Sequence, residues 1–254
     1  MTARQPIRNC QPDEMPLMGL KECTNNYGVT QSADEPGDPY DPNHEWPNNC
    51  LSIYTIAYTC GKIGRQGETL DHNHDPDEID RCQQWAMAAA EIMDGIEVGL
   101  GSEASDVFFT PFYIAANLDQ LVPEQLTEAY LRDAFGGTIY PPTEIKISSL
   151  DDGHCWDLLD DDYEGYVKAK AEGDTETLAE FSPDECAEFD QGIAAWNALI
   201  DWFGQNQDLH SPSLVEIGEE ELSDHNMGCV FPRLIVGLTA AGSLAGVAGY
   251  IVQT

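Results

Sequence analysis

A chain that carries 46 Asp and Glu against 11 Lys and Arg must fold against its own charge. The formal net charge of −35 is far beyond the magnitude of roughly 2–8 that keeps a small domain soluble. Like charges at this density destabilise a compact state unless cations screen them. At molar ionic strength the Debye length shrinks to about 3 Å, and a carboxylate-covered surface becomes tolerable. The chain therefore folds most readily in brine.

Only five lysines and six arginines are present. Abundant acid with little lysine resembles the proteins of extreme halophiles, a likeness of habitat rather than of family. The competing readings are an ordinary acidic protein, or one that binds Ca²⁺ or a basic partner. Contact with a nucleic-acid backbone needs a basic patch, yet no Lys or Arg lies between Ala171 and Pro232. Nucleic acid is excluded as a partner on that ground, and anionic membrane surfaces are disfavoured by the same argument. The acidity is concentrated in residues 151–226, which hold 22 Asp and Glu beside Lys168 and Lys170.

The charge does not make the chain a disordered tail. Apolar residues make up 42% of its 254 positions, with ten Tyr, eight Phe and five Trp, enough to build a core. The stretch Met1–Cys10 lacks the apolar run of a secretory leader, so none is expected. The location left open is a virion or the cytoplasm of a halophilic or marine host. Eight cysteines are scattered without a C-x-x-C pair, which argues against a zinc ribbon, a thioredoxin-like site and c-type haem. Reduced, buried thiols are the expectation, with the Cys-rich first 60 residues as the place for any bridges.

Three parts are expected along the chain. Residues 1–49 read as an extended arm, because Pro6, Pro12, Pro16, Pro36, Pro39, Pro42 and Pro47 break any helix. Residues 50–233 read as a globular α+β domain. Within it Leu51–Tyr58 is β-rich and predicts a strand. Asp75-Pro76 opens a helix with an N-cap acceptor and a first-turn proline. Ile79, Cys82, Ala86, Ala89, Met93 and Ile96 keep helical spacing along it, and Gly99 and Gly101 end it. Further helices are predicted over 123–135 and about 155–171, and a strand over 138–149. Val107–Leu118, apolar and aromatic, is expected to be buried. Ser182-Pro183-Asp184-Glu185 is the signature of a capping box. The helix it starts carries Cys186, Phe189, Ile193, Trp196, Ile200 and Phe203 on one face and stops at Gly204.

Residues 234–254 form the third part, without a single charge. Gly242 and Gly246 make a G-x-x-x-G in a segment of about membrane-spanning length. Burial in a subunit interface, as helix or strand, competes with membrane insertion, since the segment is only weakly hydrophobic. Altogether the fold class expected is α+β and helix-rich: an extended Pro-rich N-terminal arm, amphipathic helices, small strand content and an uncharged Gly/Ala-rich C-terminal segment.

The densest group of metal-ligating residue types is Asp71, His72, Asn73, His74, Asp75 and Asp77. Oxygens at 71, 73, 75 and 77 alternate like the start of an EF-hand loop, suited to Ca²⁺ or another divalent cation. That pattern fails at Pro76 and Cys82, where Gly and Glu belong. His72-x-His74 with a carboxylate would instead suit a transition metal. A solvated loop capping the next helix explains the same residues without a metal. His154 beside Cys155, and His225 near Cys229, offer Cys–His pairs, though an acidic setting raises a thiol's pKa instead of activating it. No G-x-S-x-G, Walker A or G-x-G-x-x-G motif is present.

An arm and an apolar terminus that both need partners point to a non-catalytic structural subunit of a large particle, such as a virion, tail, filament or surface layer. Its partners would be other protein subunits, in a homo- or hetero-oligomer. Two alternatives stand beside it. One is a metal-dependent hydrolase using His72, His74 and Asp75. The other is a tail-anchored membrane-complex subunit, with the membrane reached only through 234–254.

Overall fold

Valine and isoleucine in the C-terminal segment are interleaved with glycine and alanine, a mixture that favours pleated backbone over helix. The computed structural model of the protein describes residues 8–10, 51, 55–57, 61–65, 70–72, 75–97, 108–116, 121–139, 141, 143–150, 161–218 and 230–252. Its short strands are β1 (Arg8–Cys10), β2 (Thr55–Ala57), β3 (Ile63–Arg65) and β4 (Leu70–His72). They pair as two small antiparallel sheets, β1 with β4 and β2 with β3. The main sheet holds β5 (Thr110–Ile114), β6 (Ile145–Ser149), β7 (Leu209–Ile217), β8 (Val230–Thr239) and β9 (Leu244–Val252). Its order is β5-β9-β8-β7-β6, all antiparallel. The helices are α1 (Pro76–Ile92), α2 (Glu128–Ala134), α3 (Asp161–Glu172), α4 (Thr175–Leu178) and α5 (Pro183–Gln205).

This corrects the expectation of a helix-rich chain with small strand content. A five-stranded antiparallel sheet makes the fold mixed α+β. Much of the difference lies in Leu234–Val252, which supplies most of β8 and β9, two of the three inner strands. The G-x-x-x-G is not a helix-contact motif. Gly242 sits at φ +91° in the β8–β9 turn, and a Cβ on Gly246 would collide with the Ile235 carbonyl of the neighbouring strand. Among the described residues no helix is long and apolar enough to cross a membrane.

Three strands of the main sheet, β5, β7 and β8, carry a proline. Proline cannot donate to a ladder, so it is confined to edges, strand ends and bulges. Pro111 lies on the outer strand β5. Pro212 falls in the register shift of β7 between His210 and Ser213, where Ser211 takes the left-handed φ of 49°. Pro232 lies just beyond Arg233, the last β8 residue paired to β7, where only β9 is its neighbour. Each proline stands where its missing donor costs least.

Alternation assigns the two faces of the sheet. On one face a Cβ at Gly237 would meet the Phe203 ring of α5, and Thr239 reaches Glu78 of α1. Ile235, Val247 and Ile251 share that face by register and are buried. α1 lies on it through Cys82, Ala86 and Ala89, all buried, whose small side chains let helix and sheet approach closely. On the other face are Leu234, Val236, Leu238, Leu244 and Phe112, also buried. There Phe112 stacks on Phe135 at 6.3 Å between centroids. The β2–β3 hairpin adjoins this region: the Gly61 carbonyl accepts from Ala115 N at 2.8 Å, and Gly136 abuts the Ile63 carbonyl. Each fully buried Leu, Ile or Val contributes about 1.5–3 kcal/mol, so the β8–β9 hairpin, uncharged from Leu234 onward, is the heart of the core.

Helix boundaries moved where local chemistry was stronger than apolar spacing. α1 stops at Ile92, with Gly95 at φ +74° shortly after it; Gly99 and Gly101 lie outside the described residues. α2 begins at Glu128 rather than near Pro123, because Thr127 caps it by accepting from Tyr130 N at 3.3 Å. Gly136 and Gly137, at φ +61° and +73°, follow it closely. The predicted 155–171 helix is observed from Asp161, its earlier residues being outside the described set. The capping box of α5 is complete: Ser182 Oγ accepts from Glu185 N at 3.2 Å, and Ser182 N donates to Glu185 Oε2 at 2.7 Å. A second small core forms where Tyr166 of α3 and Phe189 of α5 meet Phe181 and Leu178. Of the expected 1–49 arm only Arg8–Cys10 is described, and its remainder lies outside.

Candidate functional site

The sequence-predicted ligand cluster is described only in part. Asp71 and His72 belong to β4, opposite Asn9 and Arg8 of β1. Asn73 and His74 lie outside the described residues, as do His154, Cys155, His225 and Cys229. Asp75 is the N-cap of α1, its Oδ1 accepting from Asp77 N at 3.0 Å. Asp77 is exposed in the first turn, where an acid complements the helix dipole. Among the described residues no group of three or more His, Cys, Asp and Glu side chains is placed to hold a metal.

A residue the sequence reading passed over is the pivot instead. Glu78, only 5% exposed, stands in the first turn of α1, four residues before Cys82 on the buried stripe. Its Oε1 accepts from Thr239 Oγ1 at 2.6 Å, and its Oε2 accepts from Arg81 Nη2 at 2.7 Å. Thr239 in turn accepts from Ser243 N at 3.0 Å, and Ser243 Oγ accepts from Ala116 N at 3.0 Å. From α2, Tyr130 donates its hydroxyl hydrogen to the Gly242 carbonyl at 2.5 Å. The β8–β9 turn is thus clasped from α1, α2 and the end of β5 together.

Electrostatics fit a structural clasp. Burial alone would raise the Glu78 carboxyl, but hydrogen bonds from Thr239, Arg81 and Ser243 outweigh it and leave the pKa below the ordinary value. A buried carboxylate so paired stays ionised and satisfied. The Cys82 thiol, 4.0 Å from Glu78 Oε1, is pushed up to about 12, by burial first and then by the Glu78 charge. It remains protonated, the opposite of an activated nucleophile. Burial, with Asp133 adding to it, lifts the Tyr130 hydroxyl to about 12. These groups hold one another and hold the turn.

Outside the clasp the turn presents an apolar rim. Leu121 is 91% exposed and Val122 is 39% exposed, with Ala240 and Ala241 exposed beside them. Val122 Cγ2 lies 3.1 Å from where a Cβ on Gly242 would stand, so loop and turn form one surface.

Two further polar groups are integral to the fold. Lys146, Glu216 and Arg233 form a row across β6, β7 and β8. Glu216 lies 3.2 Å from Lys146 Nζ and 4.0 Å from Arg233 Nε. Arg233 is 2% exposed and donates to the Pro232 carbonyl at 3.1 Å. Its charge, the only basic one after Lys170, is spent inside the sheet. On α3 and α5, Tyr166 donates to Asp190 at 2.8 Å, and Lys170 pairs with the same carboxylate. Around these, Glu172, Asp174, Glu180, Glu188, Asp201 and Asp208 all point to solvent.

What signal could have found this site? Glu78 sits on the same helical stripe as Cys82 and Ala86, a position that a list of apolar residues alone leaves out. Arg233 stands alone at the edge of an uncharged segment, a position that marks a buried ion pair. The turn and its rim depend on pairing distant in sequence and carry no local signature. No protein-family model matches this chain, and no curated protein matches it.

Proposed function

We propose that this chain is a non-catalytic structural subunit that assembles with other protein subunits into a large particle in high salt. A virion, tail, filament or surface layer would each suit it. The observation that carries this reading is Leu121, 91% exposed on an apolar rim whose adjoining turn is clasped from three elements. Scattered surface leucines need no explanation, but an apolar patch on a preorganised scaffold marks a contact site. The polar chemistry on either side of it supports the same reading. Glu78, Thr239, Ser243 and Tyr130 are consumed by bonds within the chain, and the Cys82 thiol is buried and protonated.

The high-salt part of the proposal is supported by the acids from Glu172 to Asp208, which are exposed with no Lys or Arg among them. Light scattering in molar KCl and in dilute buffer tests the function. Assembly predicts a mass well above 28.0 kDa in KCl. A 28.0 kDa monomer in both media at every concentration would sink the proposal.

A further inference from the structure

We propose that Glu78 is an acid-operated latch, whose protonation frees the β8–β9 turn and the end of β5 from α1 while the strands behind them stay paired. The latch goes beyond the assembly reading and does not depend on it. Three observations carry it.

The first is the direction of the hydrogen bonds. Glu78 accepts from Thr239 Oγ1 at 2.6 Å, from Arg81 Nη2 at 2.7 Å and from the Ser243 hydroxyl, and the Cys82 thiol approaches Oε1 at 4.0 Å. All these donors converge on one carboxylate. A hydroxyl has a single hydrogen to give, and Thr239 and Ser243 both spend theirs on Glu78. Once protonated, Glu78 must itself donate. Either hydroxyl can accept that hydrogen only by turning its own away, and the Arg81 bond loses its charge assistance. The second observation is dependence. Ser243 N donates to Thr239 Oγ1 and Ala116 N donates to Ser243 Oγ, each at 3.0 Å. These two amides therefore rest on side chains that reorient when Glu78 is protonated. The middle of the hairpin has no such dependence, because β8 and β9 each pair with a strand on both sides and ladder bonds do not titrate.

The third observation is the charge of everything else. Acid that protonates Glu78 also neutralises the exposed carboxylates, whose mutual repulsion opposes the compact state. With a sequence pI of about 4.1, the chain nears zero net charge as the latch opens. Acid thus relieves the surface while it undoes the latch, and local opening separates from global unfolding. The Glu78 carboxyl titrates below its ordinary 4.5, so the latch is shut above 4.5 and opens as pH falls through the lowered value. Among the described residues, α1 sets Arg81 and Cys82 against Glu78, with Asp75 and Asp77 beside Arg81. On α2, Tyr130 holds Gly242 and has Asp133 nearby. The turn and the end of β5 meet the cluster with hydroxyls and backbone only. Arg81 stays charged, and Cys82 and Tyr130 stay protonated at about 12.

Hydrogen exchange of the full chain in molar KCl, resolved to single amides by mass spectrometry, tests the latch from about pH 6 down to about pH 2.5. Protection factors are corrected for the pH dependence of intrinsic exchange. Over that range Ala116 and Ser243 should lose protection about tenfold or more, the effect of losing a charge-assisted bond. Ile235 and Val247, in the middle of the hairpin, should change by less than about threefold. Glu78→Gln should start with lower protection at Ala116 and Ser243 and show no further loss in acid. Asp77→Asn and Asp133→Asn remove neighbouring exposed acids and should keep the parent's pH response. Circular dichroism checks that the variants fold, and the parent's own profile decides the outcome even without Glu78→Gln. The latch is overturned if Ala116 and Ser243 keep their protection in acid, or lose it only together with Ile235 and Val247. It is also overturned if the response persists in Glu78→Gln or disappears in Asp77→Asn or Asp133→Asn, since another acid would then be the trigger.

Discussion

From Glu172 to Asp208 the helices α3–α5 turn carboxylates outward at almost every exposed turn, while from Leu234 to Val252 the chain carries no charge at all. The first region buries little beyond Tyr166, Phe189 and the inner side of α5. The second is buried on both faces, with Leu234, Ile235, Val236, Leu238, Leu244 and Val247 all inaccessible. One region answers to the medium and the other to packing. They touch where Phe203 covers Gly237, and α1 adds its own tie through Glu78 and Thr239. On the reading proposed here the charge sets where the fold is stable, whereas the hairpin sets what the fold is.

The sharpest way to break this division is to damage the hairpin alone. Gly246→Ala places a Cβ against the Ile235 carbonyl, a backbone atom that cannot step aside without opening the β8–β9 ladder. The expected cost is about 3–5 kcal/mol, seen as a collapse of the urea midpoint at any KCl concentration. A midpoint close to the parent's would mean that the inner strands are not what holds the fold.

Smaller in effect, Glu78→Gln probes the tie between α1 and the hairpin turn. It keeps the shape but replaces charge-assisted bonds with neutral ones, costing about 1.5–3 kcal/mol. The pH dependence has a definite sign. The folded carboxyl titrates below its ordinary value of 4.5, so its stabilisation is fully present above 4.5 and is lost as pH falls through the lowered folded value. The gap in urea midpoint between parent and Glu78→Gln should therefore narrow below pH 4.5. A gap that widens on acidification would contradict the clasp.

How much of this could be read from the residues follows the same division. Helices announced themselves because their signals are local. The Ser182–Glu185 box appears with both of its hydrogen bonds, and Ile79, Cys82, Ala86, Ala89, Met93 and Ile96 are all buried as spaced. The strands expected within 51–58 and 138–149 are present in part, as β2 and β6; β8 and β9 were not legible, because they owe their burial to partners such as Phe112 and Val215 on other strands. Pro111, Pro212 and Pro232 each argue against a strand until the neighbours show that no donor is required there. Glu78 was hidden for a related reason: an acid in an acidic run reads as solvated, and only the arrival of Thr239 from 161 residues away reveals otherwise. The Asp71–Asp77 group was legible as a helix start through Asp75, while His74 and Asn73 fall outside the described residues.

The smallest expected effect isolates the acid layer, and it tests the central claim most directly. Glu188→Gln, Asp201→Asn and Asp208→Asn together remove three exposed charges from α5 and the turn after it, touching no buried group. In molar KCl the triple variant should match the parent's urea midpoint to within about 0.5 kcal/mol, as distant surface changes do. As KCl is lowered the parent should lose stability more steeply than the variant, since less self-repulsion remains to be screened. The decisive measurement is the slope of urea-unfolding stability against KCl concentration for both chains. A clearly shallower slope in the variant is expected. Equal slopes, or a parent indifferent to KCl, would contradict it.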